Sequence, residues 1–210
     1  MTGACDRGTA QSGCKGGLTA MRVAVSGTHG SGKTTLVEDF VAAHPAYAWE
    51  AEPYVVLSEA GIAFSDPPTV EDYREQLGHS LATLRDDARP DVVFDRCPID
   101  FLAYLAVVAQ GDPDGPFDLD SILDEVRDAM ATLDLIVFLP LPGGGAMAAE
   151  HPRLQRAVDR ELRSILAEDA LSRFDEGATR IAVIRGGPEQ RLARLEHLVR
   201  RLPASRAGDG

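Results

Sequence analysis

Eight consecutive residues, 27–34, combine glycines with a lysine and hydroxyl side chains, a composition suited to binding phosphate. They read GTHGSGKT and fit the pattern G-x-x-x-x-G-K-[ST] without a gap. Glycines let the backbone turn tightly and bring its N–H groups close to an anion. Lys33 offers a mobile charge for β- and γ-phosphates, and Thr34 offers a hydroxyl for Mg²⁺. The stretch therefore predicts binding of a nucleoside triphosphate with Mg²⁺.

The flanks of this stretch decide between a phosphate-binding loop and a chance glycine-rich turn. A short apolar run, 23–25, precedes it and reads as a buried strand, and a helical segment follows from Thr34. The N-terminus of that helix would add unpaired N–H groups and the positive end of its dipole. This order of strand, loop and helix favours the phosphate-binding interpretation. We expect the nucleotide contacts to come from Gly27, Thr28, His29, Gly30, Ser31, Gly32, Lys33, Thr34 and Thr35.

A second group of candidate residues follows the apolar run 92–94, where a buried strand would end. Asp95 suits a second oxygen ligand, beside Thr34, that holds Mg²⁺ directly or through water. The alternative is a helix-capping role for Asp95 at the start of the next helix. Arg96 can pair with phosphate oxygens through two parallel hydrogen bonds, or it can form a salt bridge with a surface acid.

Carboxylates also follow the predicted second strand, 46–51. Glu52 is the favoured general base, which would accept a proton from an acceptor hydroxyl as that hydroxyl attacks the γ-phosphate. Glu50 competes for this role, and either residue can instead be an ordinary solvated acid. Asp100, on the helix after Asp95, is suited equally to a substrate contact and to a capping or solvated position.

Four arginines on a predicted helix over 152–173 recur at steps of three, four and three, which places them on one face. A segment with three consecutive glycines, 143–145, precedes this helix. Such a layout predicts a lid whose arginines neutralise charge in the transition state. A solvated basic face paired with nearby acids is the alternative. The arginines nearest the glycines are the favoured catalytic candidates, namely Arg153 and Arg156.

Strands and helices alternate along the chain, and this alternation predicts a parallel sheet with helices on both faces. Ligands of such sheets bind beyond the carboxyl ends of the strands, so Glu52, Asp95 and Arg96 should meet the phosphate-binding loop at one edge. The predicted strands cover 22–26, 46–51, 91–95, 135–139 and 180–184. The predicted helices cover 33–44, 54–61, 69–89, 98–110, 118–131, 152–173 and 188–202.

The ends of the chain differ in composition from its centre. Residues 1–20 are rich in small and polar residues, so we expect a flexible N-terminal extension without a signal-peptide pattern. Residues 21–202 form the expected single domain, with a lid around 140–163, and 203–210 form an expected flexible tail.

Charge and cysteine content narrow the partners and the compartment. The formal net charge of −12 disfavours non-specific binding to nucleic acid or to an anionic membrane. No apolar run approaches the roughly 18 residues of a membrane span, so no membrane partner is expected. The three cysteines are odd in number and lack zinc-type spacing, which favours a reduced cytoplasm.

Three stretches together resemble a known family: 25–35, Glu52-Pro53 and 94–104, the last reading FDRCPIDFLAY. They look like the P-loop kinases of small molecules, near the deoxynucleoside, thymidylate and ribosylnicotinamide kinases, and most closely like the AAA-labelled kinase-like ATPases of that group. The resemblance implies a three-layer P-loop NTPase sandwich with a five-stranded sheet in the order 2-3-1-4-5. It also implies that Arg96 faces the phosphates, that Glu52 is the base, and that Arg153 and Arg156 belong to the lid.

These observations predict an ATP-dependent phosphotransferase that acts on a nucleoside, a nucleotide or a cofactor precursor. Lys33, Asp95, Arg96, Glu52, Arg153 and Arg156 are the expected catalytic residues, and Thr34 and Asp95 are the expected Mg²⁺ ligands. The alternative is a regulatory ATPase or switch without a small-molecule acceptor. A homodimer is left open by the sequence.

Overall fold

The structure is a computed structural model that describes residues 20–86, 89–111, 118, 120–142, 151–167 and 179–202. The expected tail, nearly all of the expected N-terminal extension and the glycine segment 143–145 lie outside these ranges. So do the last residues, 168–173, of the helix expected over 152–173.

The described strands form one parallel sheet of five strands in the order β2-β3-β1-β4-β5, which confirms the predicted order. In chain order they are β1 (Arg22–Ser26), β2 (Ala48–Glu50), β3 (Val92–Asp95), β4 (Leu135–Phe138) and β5 (Arg180–Val183). β2 is shorter than predicted because the N–H of Tyr47 bonds to the carbonyl of His44, and the ladder begins only with Ala48 N–H donating to Asp91 O at 2.8 Å.

Seven α-helices connect the strands within the described residues. They are α1 (Lys33–Ala43), α2 (Pro53–Glu59), α3 (Val70–Asp86), α4 (Pro98–Val108), α5 (Leu123–Met130), α6 (Pro152–Ala167) and α7 (Pro188–Arg201). Two of the predicted helices include a 3-10 turn at one end. The helix over 98–110 tightens into a 3-10 turn at Ala109–Gly111, and the one over 118–131 starts with a 3-10 turn at Asp120–Ile122. Such tighter turns are common at helix ends. There, hydrogen bonds between residues three apart, instead of four apart, satisfy backbone groups that would otherwise lack a partner.

The three central strands of the sheet, β3, β1 and β4, are buried on both faces. On β1, Ala24 faces the core formed with α3, α4, α5 and α6, whereas Val23 and Val25 face the core formed with α1 and α7. This alternation follows from the two-residue period of a strand, and both faces of β1 are apolar because helices cover both. The architecture is therefore the predicted three-layer sandwich. No helix of the described residues has the length and apolar character needed to cross a membrane.

Register places the candidate residues at one edge of this sheet. Val25 of β1 lies beside Asp95 of β3 and beside Val137 of β4. The loop 27–34, which follows β1, therefore begins at the same level of the sheet as Asp95 and Arg96 at the end of β3. Glu52 follows β2 at the same edge, because all strands run in the same direction.

Arg22 secures the opposite end of β1. Its side chain is 1% exposed, and its guanidinium donates to the carbonyls of Leu84 and Thr132, both at 2.9 Å. The same group lies 5.1 Å from the centre of the Phe94 ring. Arg22 thus joins the end of α3 and the turn before β4 to the central strand.

We expect Arg22→Met to lower the free energy of unfolding by about 2–4 kcal/mol, because buried carbonyls lose a charged donor. Urea-induced unfolding followed by circular dichroism measures this change. Arg74→Met is the control, since the Arg74 side chain is 56% exposed and its loss should stay within about 0.5 kcal/mol. A loss for Arg22→Met as small as the control's would contradict the assignment.

Candidate active site

The loop between β1 and α1 has a backbone shape that two glycines make possible. A Cβ on Gly27 would lie 2.6 Å from the carbonyl oxygen of Leu139, closer than such atoms approach. Gly32, directly before α1, has φ +89°, a left-handed conformation that favours glycine. The loop therefore packs against the end of β4 and turns sharply into the helix.

The first turn of α1 presents backbone N–H groups to this loop. The first hydrogen bond of the helix runs from Leu36 N–H to Gly32 O at 3.2 Å, so the N–H groups of Lys33, Thr34 and Thr35 come before it. Unpaired N–H groups and the positive end of the helix dipole attract anions. The geometry is that of a phosphate cradle.

Lys33 lies under the loop and is 4% exposed. Its Nζ donates to the carbonyl oxygen of Thr28 at 3.2 Å. Burial, together with the positive charge of Arg96, lowers the pKa of Lys33, and the nearby acids Glu52, Asp95 and Asp100 only partly oppose this. A phosphate in the cradle would favour the charged form of Lys33.

Thr34 and Asp95 meet across the gap between α1 and β3. The Thr34 hydroxyl donates to Asp95 Oδ2 at 2.7 Å, while Asp95 Oδ1 is buried without a hydrogen-bond partner among the described residues. Burial raises the pKa of Asp95 against the opposing effect of Lys33. A hydroxyl beside an unpartnered buried carboxylate oxygen fits Mg²⁺, which binds oxygen atoms and few protein ligands. The described residues contain no cluster of three or more His, Cys, Asp or Glu suited to a metal.

Arg96 has an uncommon backbone conformation, φ +88°, and is 5% exposed. Its Nε donates to Glu52 Oε1 at 2.5 Å, and one terminal nitrogen, Nη1, donates to the carbonyl oxygen of Gly27 at 3.0 Å. The same nitrogen lies 3.6 Å from Asp100 Oδ1. Such strained residues persist where the surroundings fix them, and they concentrate at functional sites.

The charges of Arg96 and Glu52 stabilise each other. Burial by itself would raise the pKa of Glu52, but the positive charges of Arg96 and Lys33 lower it below its ordinary value. Burial likewise opposes the charged form of Arg96, but Glu52, Tyr104 and Asp100 keep its pKa well above the ordinary value. Glu50 is placed differently, because its Oε2 accepts from Arg89, whose side chain is 47% exposed.

Asp100 has both oxygens occupied inside the protein. Oδ1 accepts from Gly27 N–H at 2.8 Å, and Oδ2 accepts from Cys97 N–H at 3.0 Å. The residue is fully buried and caps the start of α4 while it holds the beginning of the phosphate loop. Of the two roles left open by the sequence, the structure shows capping.

Tyr104 is a residue of the site that sequence reasoning missed. Its hydroxyl accepts from His29 N–H at 3.1 Å and lies 3.2 Å from the Thr28 hydroxyl. Its ring stacks on Tyr73 of α3, with 4.5 Å between ring centres, and lies under the guanidinium of Arg96. A signal was available, because Tyr104 follows Asp100 by four residues and shares its helix face.

The arginines of α6 divide into two groups. Arg153 and Arg156 are exposed, and no hydrogen bond or ion pair joins them to the loop 27–34 or to any other described residue. Arg163 instead donates to Asp159 Oδ2 at 2.7 Å, and Asp159 Oδ1 accepts from Leu141 N–H at the end of β4. The alternative of a basic face paired with acids therefore describes Arg163. The structure does not bring Arg153 and Arg156 to the other site residues.

The AAA domain family matches residues 22–191, which include the whole of the candidate site. The chain belongs to this family. No curated protein sequence matches the chain.

Solved structures resemble the chain at low sequence identity. NadR in complex with NR has a TM-score of 0.62 at 19% identity, over 90% of this chain and 53% of that one. Thymidylate kinase from Candida albicans has a TM-score of 0.57 at 13% identity, over 86% and 91% of the two chains. Deoxyadenosine kinase from M. mycoides with bound dCTP has a TM-score of 0.57 at 12% identity, over 84% and 97%. The chain spans about half the length of the NadR chains it matches. These similarities show the P-loop kinase fold.

The pH dependence of stability should report the pairing of Glu52. Because the folded pKa of Glu52 lies below its ordinary value of 4.5, its stabilising effect is fully present above that pH and is lost as the pH falls through the lower folded value. We expect Glu52→Gln to be destabilised at pH 7 by about 3 kcal/mol, since Arg96 loses its buried partner. The difference from wild type should shrink with acidification in urea unfolding measured from pH 7 to pH 3.

Glu50→Gln is the matched control, because it removes a carboxylate from a more exposed ion pair. Its loss of stability at pH 7 should stay below about 1 kcal/mol. Equal losses of stability for the two variants would show that the ion pair of Glu52 with Arg96 stabilises the fold no more than the exposed pair of Glu50 does.

Proposed function

We propose that the protein is an ATP-dependent phosphotransferase that acts on a small molecule of the nucleoside, nucleotide or cofactor-precursor type. One observation carries this proposal: the Arg96–Glu52 pair and the Thr34–Asp95 pair flank the same phosphate loop at the same edge of the sheet. A loop that only bound a nucleotide would not require a general base such as Glu52. Nor would it require a second positively charged side chain, Arg96, in addition to Lys33.

The residues divide the work of phosphoryl transfer, which depends mostly on positioning and electrostatics. The backbone N–H groups of the loop and of α1 bind the phosphates, and Lys33 neutralises the β- and γ-phosphates. Thr34 and Asp95 would hold Mg²⁺, which would supply charge neutralisation at the phosphate oxygens. Arg96 stabilises the transferring group. Arg153 and Arg156 remain in the proposal as lid residues that add positive charge.

Glu52 is the proposed base for the acceptor hydroxyl. Its lowered pKa keeps it ionised near neutral pH, which leaves the carboxylate able to accept a proton. Arg96 orients it through the 2.5 Å contact between Nε and Oε1. Glu50 is less suited, since it pairs with the exposed Arg89 and not with an arginine that bonds to the phosphate loop.

A small cleft, with room for about one water molecule, lies beside Asp95 and Arg96. It lies between α3 and the ends of β2 and β3, and its lining includes Glu50, His79, Ser80, Thr83, Asp95 and Arg96. Three structurally similar proteins are linked to small molecules of the proposed class. NadR was solved with NR, deoxyadenosine kinase was solved with dCTP, and the third is a thymidylate kinase. The proposed acceptor class rests on that similarity.

A panel of acceptors tests the proposal directly. ATP consumption by the wild-type protein with Mg²⁺ is measured alone and with nucleosides, nucleotides and cofactor precursors. We expect one class to stimulate the rate at least about tenfold, together with a phosphorylated product detected by mass spectrometry. A slow rate that none of the compounds changes would indicate the alternative, a regulatory ATPase.

Lys33→Ala should abolish phosphotransfer, with a loss of about 100-fold or more in rate, because the charge beside the phosphates is removed. Circular dichroism should show an unchanged fold, since the substitution removes a buried cation without a carboxylate partner in hydrogen-bond contact. Arg74→Ala, which makes the same charge change on the exposed face of α3, serves as the control. Unchanged phosphotransfer in Lys33→Ala would refute the central role of the loop.

A further inference from the structure

Arg191, in the first turns of α7, reaches across the sheet edge to the phosphate loop. Its Nη1 donates to the carbonyl oxygen of Ser31 at 2.6 Å, and its Nε donates to the carbonyl oxygen of Gly186 at 2.8 Å. The guanidinium therefore joins the turn between β5 and α7 to a loop residue 160 positions earlier in the chain. The proposed function gives it no role so far.

The local backbone holds Arg191 in this place. Gly187 is the cap of α7, and its N–H donates to the side chain of Gln190 at 3.1 Å, which fixes the first turn of the helix. Gly186 has φ +108°, and a Cβ there would lie 2.3 Å from Gln190 Oε1. The turn is thus specified by two glycines and a capping side chain, and Arg191 follows at a defined position.

Gly32 of the phosphate loop leaves the space that Arg191 occupies. A Cβ on Gly32 would lie 2.8 Å from Arg191 Nη1. Gly32 directly precedes Lys33, whose N–H is the first of the phosphate cradle, so the guanidinium lies against the residue next to the cradle. A cation at this position adds to the field of the helix N-terminus.

The charge of Arg191 has no acidic partner among the described residues. Both of its side-chain hydrogen bonds go to backbone carbonyls, and its second terminal nitrogen, Nη2, makes no hydrogen bond with a described residue. Arg96 and Arg163, by contrast, are paired with Glu52 and Asp159. In a chain of net charge −12, an arginine anchored by carbonyls alone leaves donors and a full positive charge for an anion.

The strand order shows which part of the nucleotide Arg191 would meet. Asp95, Arg96 and Glu52 follow β3 and β2 on one side of β1, whereas Arg191 follows β5 on the other side. The first side carries the residues proposed for transfer of the γ-phosphate. The second side is left for the part of the donor that is not transferred, its α- and β-phosphates.

We propose that Arg191 is a donor-binding residue that contacts the α- or β-phosphate of the nucleotide and holds the phosphate loop in its binding shape. This inference rests on the nucleotide binding within the proposed function. Those phosphates are present in ATP and in the product ADP alike. Arg191 therefore strengthens the binding of substrate and product equally, so its removal raises the KM for ATP and leaves kcat nearly unchanged.

The test compares ADP binding by Arg191→Ala and by Arg194→Ala. Arg194 is exposed on the same helix and makes no hydrogen bond or ion pair with a described residue. Its substitution therefore removes the same charge without removing such a contact. Titration calorimetry with Mg²⁺ should show ADP affinity reduced about 10- to 100-fold in Arg191→Ala. Arg194→Ala should stay within about twofold of wild type, and adenosine affinity should not distinguish the variants.

Arg191→Lys guards against a purely structural explanation. Lysine keeps the charge but cannot make the two carbonyl contacts and a phosphate contact together, so its ADP affinity should be intermediate. Thermal unfolding without nucleotide checks that all variants are folded. An ADP affinity of Arg191→Ala equal to that of Arg194→Ala overturns the proposal, as does an equal loss of adenosine affinity, which would place the contact at the base.

ADP binding needs no acceptor, so this experiment separates the two proposals. If no acceptor stimulates ATP consumption but Arg191→Ala loses ADP affinity, the donor-binding role is supported and the kinase activity is not. If wild type and variants all fail to bind ADP and ATP, both proposals are overturned. Where an acceptor has been found, a raised KM for ATP at constant kcat supports the role, and a lowered kcat at constant KM overturns it.

Discussion

The ion pair between the buried Arg96 and the partly buried Glu52 is the interaction on which the site depends. Arg96 also bonds to the carbonyl of Gly27 and lies near Asp100, so one guanidinium links the ends of β2 and β3, the phosphate loop and the start of α4. Its strained backbone is retained because these partners surround it. Loss of one partner would leave a buried charge, which costs about 3–5 kcal/mol.

A second constraint is the balance of charge beneath the loop. Burial lowers the pKa of Lys33 and raises the pKa of Asp95, so burial disfavours the charged form of each residue. Phosphate beside Lys33 and a divalent cation beside Asp95 would reverse both effects at once. A metal–nucleotide complex would therefore carry one charge complementary to each of these two residues.

Much of the fold was predictable because periodicity and composition act locally. The alternation of strands and helices, the buried run before Asp95 and the glycine loop each follow from neighbouring residues. Helix ends were less predictable, as the 3-10 turns at Ala109–Gly111 and Asp120–Ile122 illustrate, since they depend on which backbone groups find partners. The order of the strands came from family resemblance, because periodicity contains no information on which strands are neighbours.

The candidate site shows the same division. Local sequence patterns predict a phosphate-binding loop and, through the parallel sheet they imply, a common edge for Glu52, Asp95 and Arg96. The pairing of Glu52 with Arg96, the capping of α4 by Asp100 and the contacts of Tyr104 and Arg191 with the loop are visible only in the folded chain. The physical reason is that strand direction follows from local pattern, whereas a contact across 75 or 160 residues depends on how the helices pack.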